Sequence, residues 1–132
     1  MKPLAECRLY AFVDSAYLKG REPADLARQL CDGGVDLIQL RAKDWPTDCI
    51  RETAESLLPI TQAANVGLVI NDHWKIAGEI GADICHLGQE DFFETLLLKT
   101  LTHQFFEIAF QLFSFEYLIV LEEKNYLQNW EA

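Results

Sequence analysis

Three polar side chains, Gln39, Arg41 and Lys43, alternate with apolar or small residues in one short segment. Positions two apart point to the same face of an extended strand, so a strand would present all three together. The planar fork of donors on Arg41 and the compact charge of Lys43 suit a phosphate or pyrophosphate. The alternative is that both cations pair with nearby acids such as Asp44 or Asp72. The pattern alone leaves these two interpretations about equally open.

Two carboxylates, Asp72 and Asp91, form a second candidate pair. Each follows a predicted strand, and carboxylate oxygens are the hard ligands that Mg²⁺ prefers. A metal there would neutralise a polyphosphate leaving group as it departs. Taken singly, each aspartate is more typical of a helix cap or turn. Convergence with Arg41 and Lys43 favours the metal interpretation.

The histidines and cysteines suggest no nucleophilic catalysis. His86 lies inside a predicted strand and is expected to be a hydrogen-bonded interior or rim histidine, while His73 is expected to begin a helix. No cysteine–histidine arrangement has the spacing of a nucleophile and its base.

These side chains are positioned by an alternation of strands and helices. Apolar segments bounded by turn residues predict four strands, namely Leu9–Val13, Val35–Leu40, Val66–Ile70 and Ala82–Leu87. The intervening segments predict a helix that begins at Pro23 and stops at Gly33, a helix over about 48–64, and a short helix from His73 to Ile80 closed by Gly81. We expect Thr47 to cap the second helix and Pro59 to kink or divide it. The pattern predicts an α/β fold built from right-handed βαβ units around a parallel sheet.

In a parallel sheet the carboxyl ends of all strands lie on one rim, where α/β enzymes place their active sites. The polar residues of this chain are concentrated at those ends: Asp14; Gln39, Arg41 and Lys43; Asn71 and Asp72; Gln89, Glu90 and Asp91. We therefore expect these groups to converge.

Composition narrows the classes of partner. The chain has 11 Lys and Arg against 21 Asp and Glu, a net charge of −10, which argues against a general nucleic-acid binder. No signal peptide is expected after Met1, and no apolar stretch reaches the roughly 18 residues needed to span a bilayer. Four cysteines without a C-x-x-C motif suit free thiols in a reducing compartment. The expected setting is the cytoplasm, with no membrane and no nucleic acid as partner.

The composition changes near residue 92. All seven glycines lie between Gly20 and Gly88, and all four prolines lie between Pro3 and Pro59. Residues 93–132 are rich in Phe and Leu and contain neither glycine nor proline. We expect residues 1–92 to form one unit and residues 93–132 to be a divergent tail, helical or irregular, that arises from a frameshift or fusion. The tail could cover the sheet or serve as a homo-oligomer contact.

Four segments in this order resemble the thiamine phosphate synthase family over about residues 8–92. They are Leu9-Tyr-Ala-Phe-Val-Asp14, Ile38-Gln-Leu-Arg-Ala-Lys43, Val69-Ile-Asn-Asp72 and His86-Leu-Gly-Gln-Glu-Asp91. The resemblance implies a TIM-type (β/α) barrel, here truncated to about its first four βα units. By analogy, Gln39, Arg41, Lys43 and Asn71 would hold a pyrimidine pyrophosphate, and Asp72 and Asp91 would hold Mg²⁺.

The resemblance also implies a reaction. The family joins an aminopyrimidine methyl pyrophosphate to a thiazole phosphate and releases pyrophosphate, which leaves before the thiazole nitrogen attacks. A barrel of this type takes roughly 200–250 residues, so the thiazole phosphate site would lie in the half that is absent here. One alternative is an inactive truncated fragment that retains pyrophosphate binding. Another is a protein like the related thiazole tautomerase, which does no metal-dependent pyrophosphate chemistry. An interaction module built on the aromatic tail ranks last, because it leaves the polar residues at the strand ends unexplained.

Overall fold

A computed structural model of the chain describes residues 1–88 and the backbone of residues 116–120. The elements are β1 (Tyr10–Asp14), α1 (Pro23–Asp32), β2 (Leu37–Arg41), α2 (Thr47–Ala63), β3 (Gly67–Asn71), α3 (Trp74–Ile80), β4 (Ile84–Gly88) and β5 (Glu116–Val120). Strands β1 to β4 are parallel and lie in chain order, each paired with the next. The predicted α/β architecture is confirmed.

The fifth strand differs from the expectation for the tail. Glu116–Val120 pairs antiparallel with β4, with Leu118 opposite His86. The sequence pattern predicted helical or irregular structure here. Ile and Val are β-branched and Tyr is aromatic, and such residues favour strands. The rest of the predicted tail lies outside the described residues.

Helix α2 departs from two details of the prediction. Thr47 is its first helical residue rather than its cap, and Pro46 occupies the cap position without a side-chain hydrogen bond. Pro59 lies within one continuous 17-residue helix and does not divide it. The helix buries a stripe of side chains, which offsets the backbone hydrogen bond that proline cannot make. That stripe consists of Ile50, Ala54, Leu57 and Thr61.

The two faces of the sheet have different surroundings. Ile38 and Leu40 on β2 point to the helices and belong to the main apolar core, together with Leu57 of α2. The other face carries a small apolar cluster of Leu37, Val69 and Ile84, against which Leu4 and Cys7 of the N-terminal segment pack. The polar side chains lie on this second face, nearer the carboxyl ends of the strands.

A short motif, Gly-x-Asp, precedes both β2 and β4. Gly34 and Gly81 adopt positive φ values of 80° and 73°, which glycine adopts without strain. The aspartate two residues later, Asp36 or Asp83, accepts hydrogen bonds from backbone N–H groups of a neighbouring strand segment. Asp83 accepts from Leu68 N at 3.0 Å. Each aspartate thus ties adjacent strands together at their amino ends.

Asp36 is the more heavily bonded of the two. Its side chain accepts from the Lys2 ammonium and from the backbone N–H groups of Arg8 (2.7 Å) and Leu9 (3.0 Å). The Lys2 hydrogen bond, followed by the two backbone donors, lowers the pKa of Asp36 from 3.8 to about 2. The N-terminal segment is therefore held against the sheet by the charged form of this carboxyl.

Acid should weaken the fold through Asp36. A carboxyl whose pKa is lower in the folded chain stabilises fully above its unfolded value and loses that contribution as the pH falls towards the folded value. We expect the contribution of Asp36 to folding stability to be complete above about pH 4 and to be lost as the pH falls from 3.8 to about 2. Asp36→Asn should lower the melting temperature by several degrees at pH 6, with the deficit narrowing towards pH 2.

Thermal melts at pH 6, 4 and 2.5 would measure this dependence, with Asp32→Asn as the control. Asp32 is the exposed last residue of α1, so its substitution should leave the melting temperature nearly unchanged at each pH. A deficit for Asp36→Asn that stays constant down to pH 2.5 would contradict the account.

Candidate active site

The four parallel strands carry polar residues towards their carboxyl ends on the face away from the helices: Asp14 on β1, Gln39 and Arg41 on β2, Asn71 on β3 and His86 on β4. The register places Asp14 beside Arg41 and Asn71 beside His86. The predicted convergence at this rim is therefore present for the strands that the structure describes.

Arg41 is held by Asp14. The Nη1 atom donates to Asp14 Oδ2 at 2.8 Å, and Asp14 Oδ1 accepts from the backbone N–H of Ala16 at 2.9 Å, so both carboxylate oxygens are engaged. The Arg41 side chain is 34% exposed and that of Asp14 is 11% exposed. Arg41 therefore does pair with an acid, as the alternative interpretation expected, but the acid is Asp14 rather than Asp44 or Asp72.

The Arg41–Asp14 pair lines a cavity of about 440 Å³, together with Phe12 and Tyr17. Phe12 stacks on Tyr10, with ring centroids 5.1 Å apart. Phe12 remains 49% exposed and Tyr17 66% exposed. The cavity thus combines a positioned guanidinium with aromatic surface, an arrangement that suits a ligand with both an anionic and a ring-shaped part.

Gln39 and Asn71 belong to a buried hydrogen-bond network on the same face of the sheet. Gln39 is 1% exposed and Asn71 is 8% exposed. Gln39 Nε2 donates to Asn71 Oδ1 at 2.7 Å, and Tyr10 donates its hydroxyl to Gln39 Oε1. His86 Nδ1 lies 3.1 Å from Asn71 Oδ1 and 3.3 Å from Gln39 Nε2. The side-chain amides of both residues are thus engaged with protein groups.

Asp72 follows Asn71 at the outer end of the same network. Asn71 Nδ2 donates to Asp72 Oδ2 at 2.7 Å. Asp72 is half-buried, and its φ of 64° lies in the left-handed region that aspartate tolerates better than most residues. His73, and not Asp72, occupies the cap position of α3. Among residues 1–88 no ion pair involves Asp72.

Lys43 lies just beyond the end of β2. The strand ends at Arg41, and Lys43 is an exposed residue of the following turn. The expectation that Gln39, Arg41 and Lys43 share one face of a single strand therefore holds only as far as Arg41. The four ion pairs found in the described region do not include Lys43.

Asp91, the second predicted metal ligand, lies outside the described residues. Within them, no cluster of three or more His, Cys, Asp or Glu side chains could hold a metal ion. No helix in this region is long and apolar enough to cross a membrane. All four cysteines have free thiols.

Three contacts of this site have no signal in the strand pattern itself. They are the pairing of Asp14 with Arg41, the bond from Tyr10 at the start of β1 to Gln39, and the contact of His86 with Asn71. The Gly-x-Asp repeat gives a signal for His86: it lies three residues after Asp83, as Gln39 lies three residues after Asp36. Equivalent positions in the repeat therefore point at the same amide, Asn71.

Comparison with known proteins gives a consistent result. A family model described as thiamine monophosphate synthase matches residues 9–104. The thiamine-phosphate synthase of Herpetosiphon aurantiacus is 40% identical over 84 residues, which are 64% of this chain and 41% of that protein. That of Rhizobium etli is 42% identical over 82 residues, 62% of this chain and 36% of that protein.

A solved structure extends the likeness to the fold. The thiamine phosphate pyrophosphorylase from Pyrococcus furiosus superposes with a TM-score of 0.54 at 25% identity, covering 60% of this chain and 38% of that one. The chain thus spans about two fifths of the length of the curated relatives that it matches.

Proposed function

Because the chain belongs to the thiamine monophosphate synthase family, we propose that its rim is the pyrophosphate-binding part of an active site for thiamine phosphate synthesis. The reaction would join an aminopyrimidine methyl pyrophosphate to a thiazole phosphate and release pyrophosphate. The observation that carries the proposal is the Arg41 guanidinium, fixed by Asp14 at 2.8 Å and exposed to the cavity at the strand ends.

The accessible cations would bind the leaving group. Arg41 and Lys43 would donate hydrogen bonds to pyrophosphate oxygens, and these bonds strengthen as negative charge develops on the departing group. Gln39 and Asn71 belong to the same proposed site. Because both amides are buried and bonded to each other, their part is to hold β2 and β3 together below the rim as well as to orient the ligand. No protein nucleophile is needed for this reaction.

Mg²⁺ is part of the proposal, and the chemistry of Asp72 fits it. One carboxylate oxygen is held by Asn71, and no cation competes for the group within residues 1–88. Asp72 and Asp91 would be the protein ligands that hold the metal, since carboxylate oxygens are the ligands that Mg²⁺ prefers. Bound Mg²⁺ would supply charge neutralisation to the leaving pyrophosphate.

The remaining partners follow from the same proposal. The substrates are small molecules, and the free cysteines suit a reducing cytoplasm. Leu9, which is 49% exposed just before β1, belongs to apolar surface of the partial barrel that a second copy could cover in a homo-oligomer.

A transfer assay with matched arginine variants tests the function. The full chain, at high concentration with both substrates and Mg²⁺, should form thiamine phosphate. Arg41→Ala should lower the rate about 100-fold or more, since it removes a positioned donor to the developing charge. Arg28→Ala is the control: Arg28 also pairs with an aspartate, Asp25 at 2.7 Å, but on the exposed surface of α1.

The outcomes separate the candidate functions. Product formation that Arg41→Ala abolishes and Arg28→Ala leaves unchanged would support the synthase. A folded chain that binds pyrophosphate but forms no product would overturn the transfer reaction and favour the pyrophosphate-binding fragment.

A further inference from the structure

His86 lies at the centre of the buried network, although the proposed reaction gives it no task. Its side chain is half-buried on the face of β4 that points away from the helices, in register with Asn71 of β3. The ring nitrogen Nδ1 lies 3.1 Å from Asn71 Oδ1. The geometry around Asn71 decides which atom donates in this contact.

Asp72 determines the orientation of the Asn71 amide. A carboxylate oxygen only accepts hydrogen bonds, so the Asn71 atom 2.7 Å from Asp72 Oδ2 must be Nδ2, the donor. The atom facing His86 is then Oδ1, an acceptor with two lone pairs. Gln39 Nε2 donates to one of them at 2.7 Å.

The proton of His86 follows from that orientation. Because Asn71 Oδ1 cannot donate, His86 Nδ1 must carry hydrogen for the 3.1 Å contact to be attractive. The longer separation of 3.3 Å between Nδ1 and Gln39 Nε2 is consistent with two donors that converge on one oxygen. Gln39 Nε2 could instead donate its second hydrogen to an unprotonated Nδ1 at 3.3 Å, but the shorter 3.1 Å contact with Asn71 favours the tautomer with the proton on Nδ1.

We propose that His86 is a positioning residue, whose Nδ1–H fixes the Asn71 amide so that Asn71 holds the Asp72 carboxylate ready for a divalent cation. This inference rests on the proposed function, since it gives Asp72 its metal. Removing a group that hydrogen-bonds to a metal ligand and orients it typically lowers metal affinity about 10–100-fold. His86 acts on the Asp72 carboxylate indirectly, because its ring bonds Asn71 and Asn71 bonds Asp72.

The first experiment needs no metal or substrate. Long-range ¹H–¹⁵N NMR of the metal-free chain distinguishes histidine tautomers, and the signal that disappears in His86→Asn identifies His86. The inference predicts a protonated Nδ1. An Nε2–H tautomer with an unprotonated Nδ1 would overturn it, whatever the chain catalyses.

The second experiment compares two substitutions of different shape. Asn places its side-chain N–H near the position of histidine Nδ1, so His86→Asn keeps a donor towards Asn71, whereas His86→Leu removes it. The backbone bond from Asp72 N to His86 O, 2.8 Å long, is available to both variants. Calorimetry measures the affinity for inorganic pyrophosphate with and without Mg²⁺.

We expect His86→Leu to weaken pyrophosphate binding about 10-fold or more in the presence of Mg²⁺, and hardly at all in its absence. His86→Asn should stay within about threefold of the unsubstituted chain. Cys85→Ala is the control for general loosening of β4, because Cys85 lies on the same strand but is fully buried against the helix-side core. It should lower the melting temperature without changing the Mg²⁺ effect.

Two results would count against the inference. An unchanged Mg²⁺ effect in His86→Leu, or an equal loss in His86→Asn and His86→Leu while both remain folded, would show that the donor is unimportant. If the unsubstituted chain binds pyrophosphate with no Mg²⁺ effect, the proposed metal site itself is wrong, and the metal role of His86 fails with it.

Discussion

Asp72→Asn is expected to remove the Mg²⁺-dependent part of pyrophosphate binding, with a loss of affinity of about 100-fold, or about 3 kcal/mol, at millimolar Mg²⁺. Of the two carboxylates on the described rim, Asp14 is paired with Arg41, whereas Asp72 forms no ion pair within residues 1–88 and has the charge and oxygen atoms that Mg²⁺ requires. Binding in the absence of Mg²⁺ should be unchanged or slightly stronger, because the substitution removes a negative charge near an anion.

Asparagine is the appropriate replacement for two reasons. Asp72 has a φ of 64°, which asparagine accepts at low cost, so the turn after β3 should be preserved. The side-chain oxygen of asparagine can still accept from Asn71 Nδ2, so the network behind it should also persist. Asp32→Asn, on the exposed end of α1, controls for the change in net charge. Equal Mg²⁺ effects in Asp72→Asn and Asp32→Asn would remove Asp72 from the metal site.

Gln39→Leu is expected to destabilise the fold by about 1–3 kcal/mol, the largest stability effect among the rim residues. Gln39 is 1% exposed and bonds Tyr10 and Asn71, so leucine would remove both hydrogen bonds and leave the buried Asn71 oxygen with one donor fewer. Unsatisfied buried groups cost about 1–3 kcal/mol each. Urea unfolding measures the loss as a lower midpoint at an unchanged slope.

Lys43→Ala is the matched contrast, because Lys43 is exposed in the turn after the same strand. Its free energy of unfolding should change by less than about 0.5 kcal/mol, while pyrophosphate affinity should fall. An unchanged free energy of unfolding in Gln39→Leu would show that the buried hydrogen-bond network does not stabilise the fold.

The order of elements could be predicted from the sequence because its signals are local. Pro23 begins α1, and Gly81 ends α3 with a φ of 73°. Apolar segments between such signals predicted the four parallel strands, with ends displaced by one or two residues. The prediction that Thr47 caps α2 was wrong because Pro46 occupies the cap position and Thr47 is itself helical. The prediction that Pro59 divides α2 failed because burial of the helix against the sheet stabilises it as one helix.

The partners within the site could not be predicted in the same way. Whether Arg41 pairs with Asp14 or with a nearer acid in sequence depends on the register between β1 and β2, which no local pattern specifies. The role of His86 likewise depends on the register between β3 and β4. Chain order placed these groups on one rim, but only side-chain geometry distinguishes the exposed cation at Arg41 from the buried amide at Gln39.

The central claim is that the described rim is a metal-assisted pyrophosphate site. Calorimetric titration of the full chain with inorganic pyrophosphate, with and without Mg²⁺, tests it most directly. The account predicts binding at a single site that strengthens at least 10-fold when Mg²⁺ is added. A folded chain that takes up no pyrophosphate under either condition would contradict it.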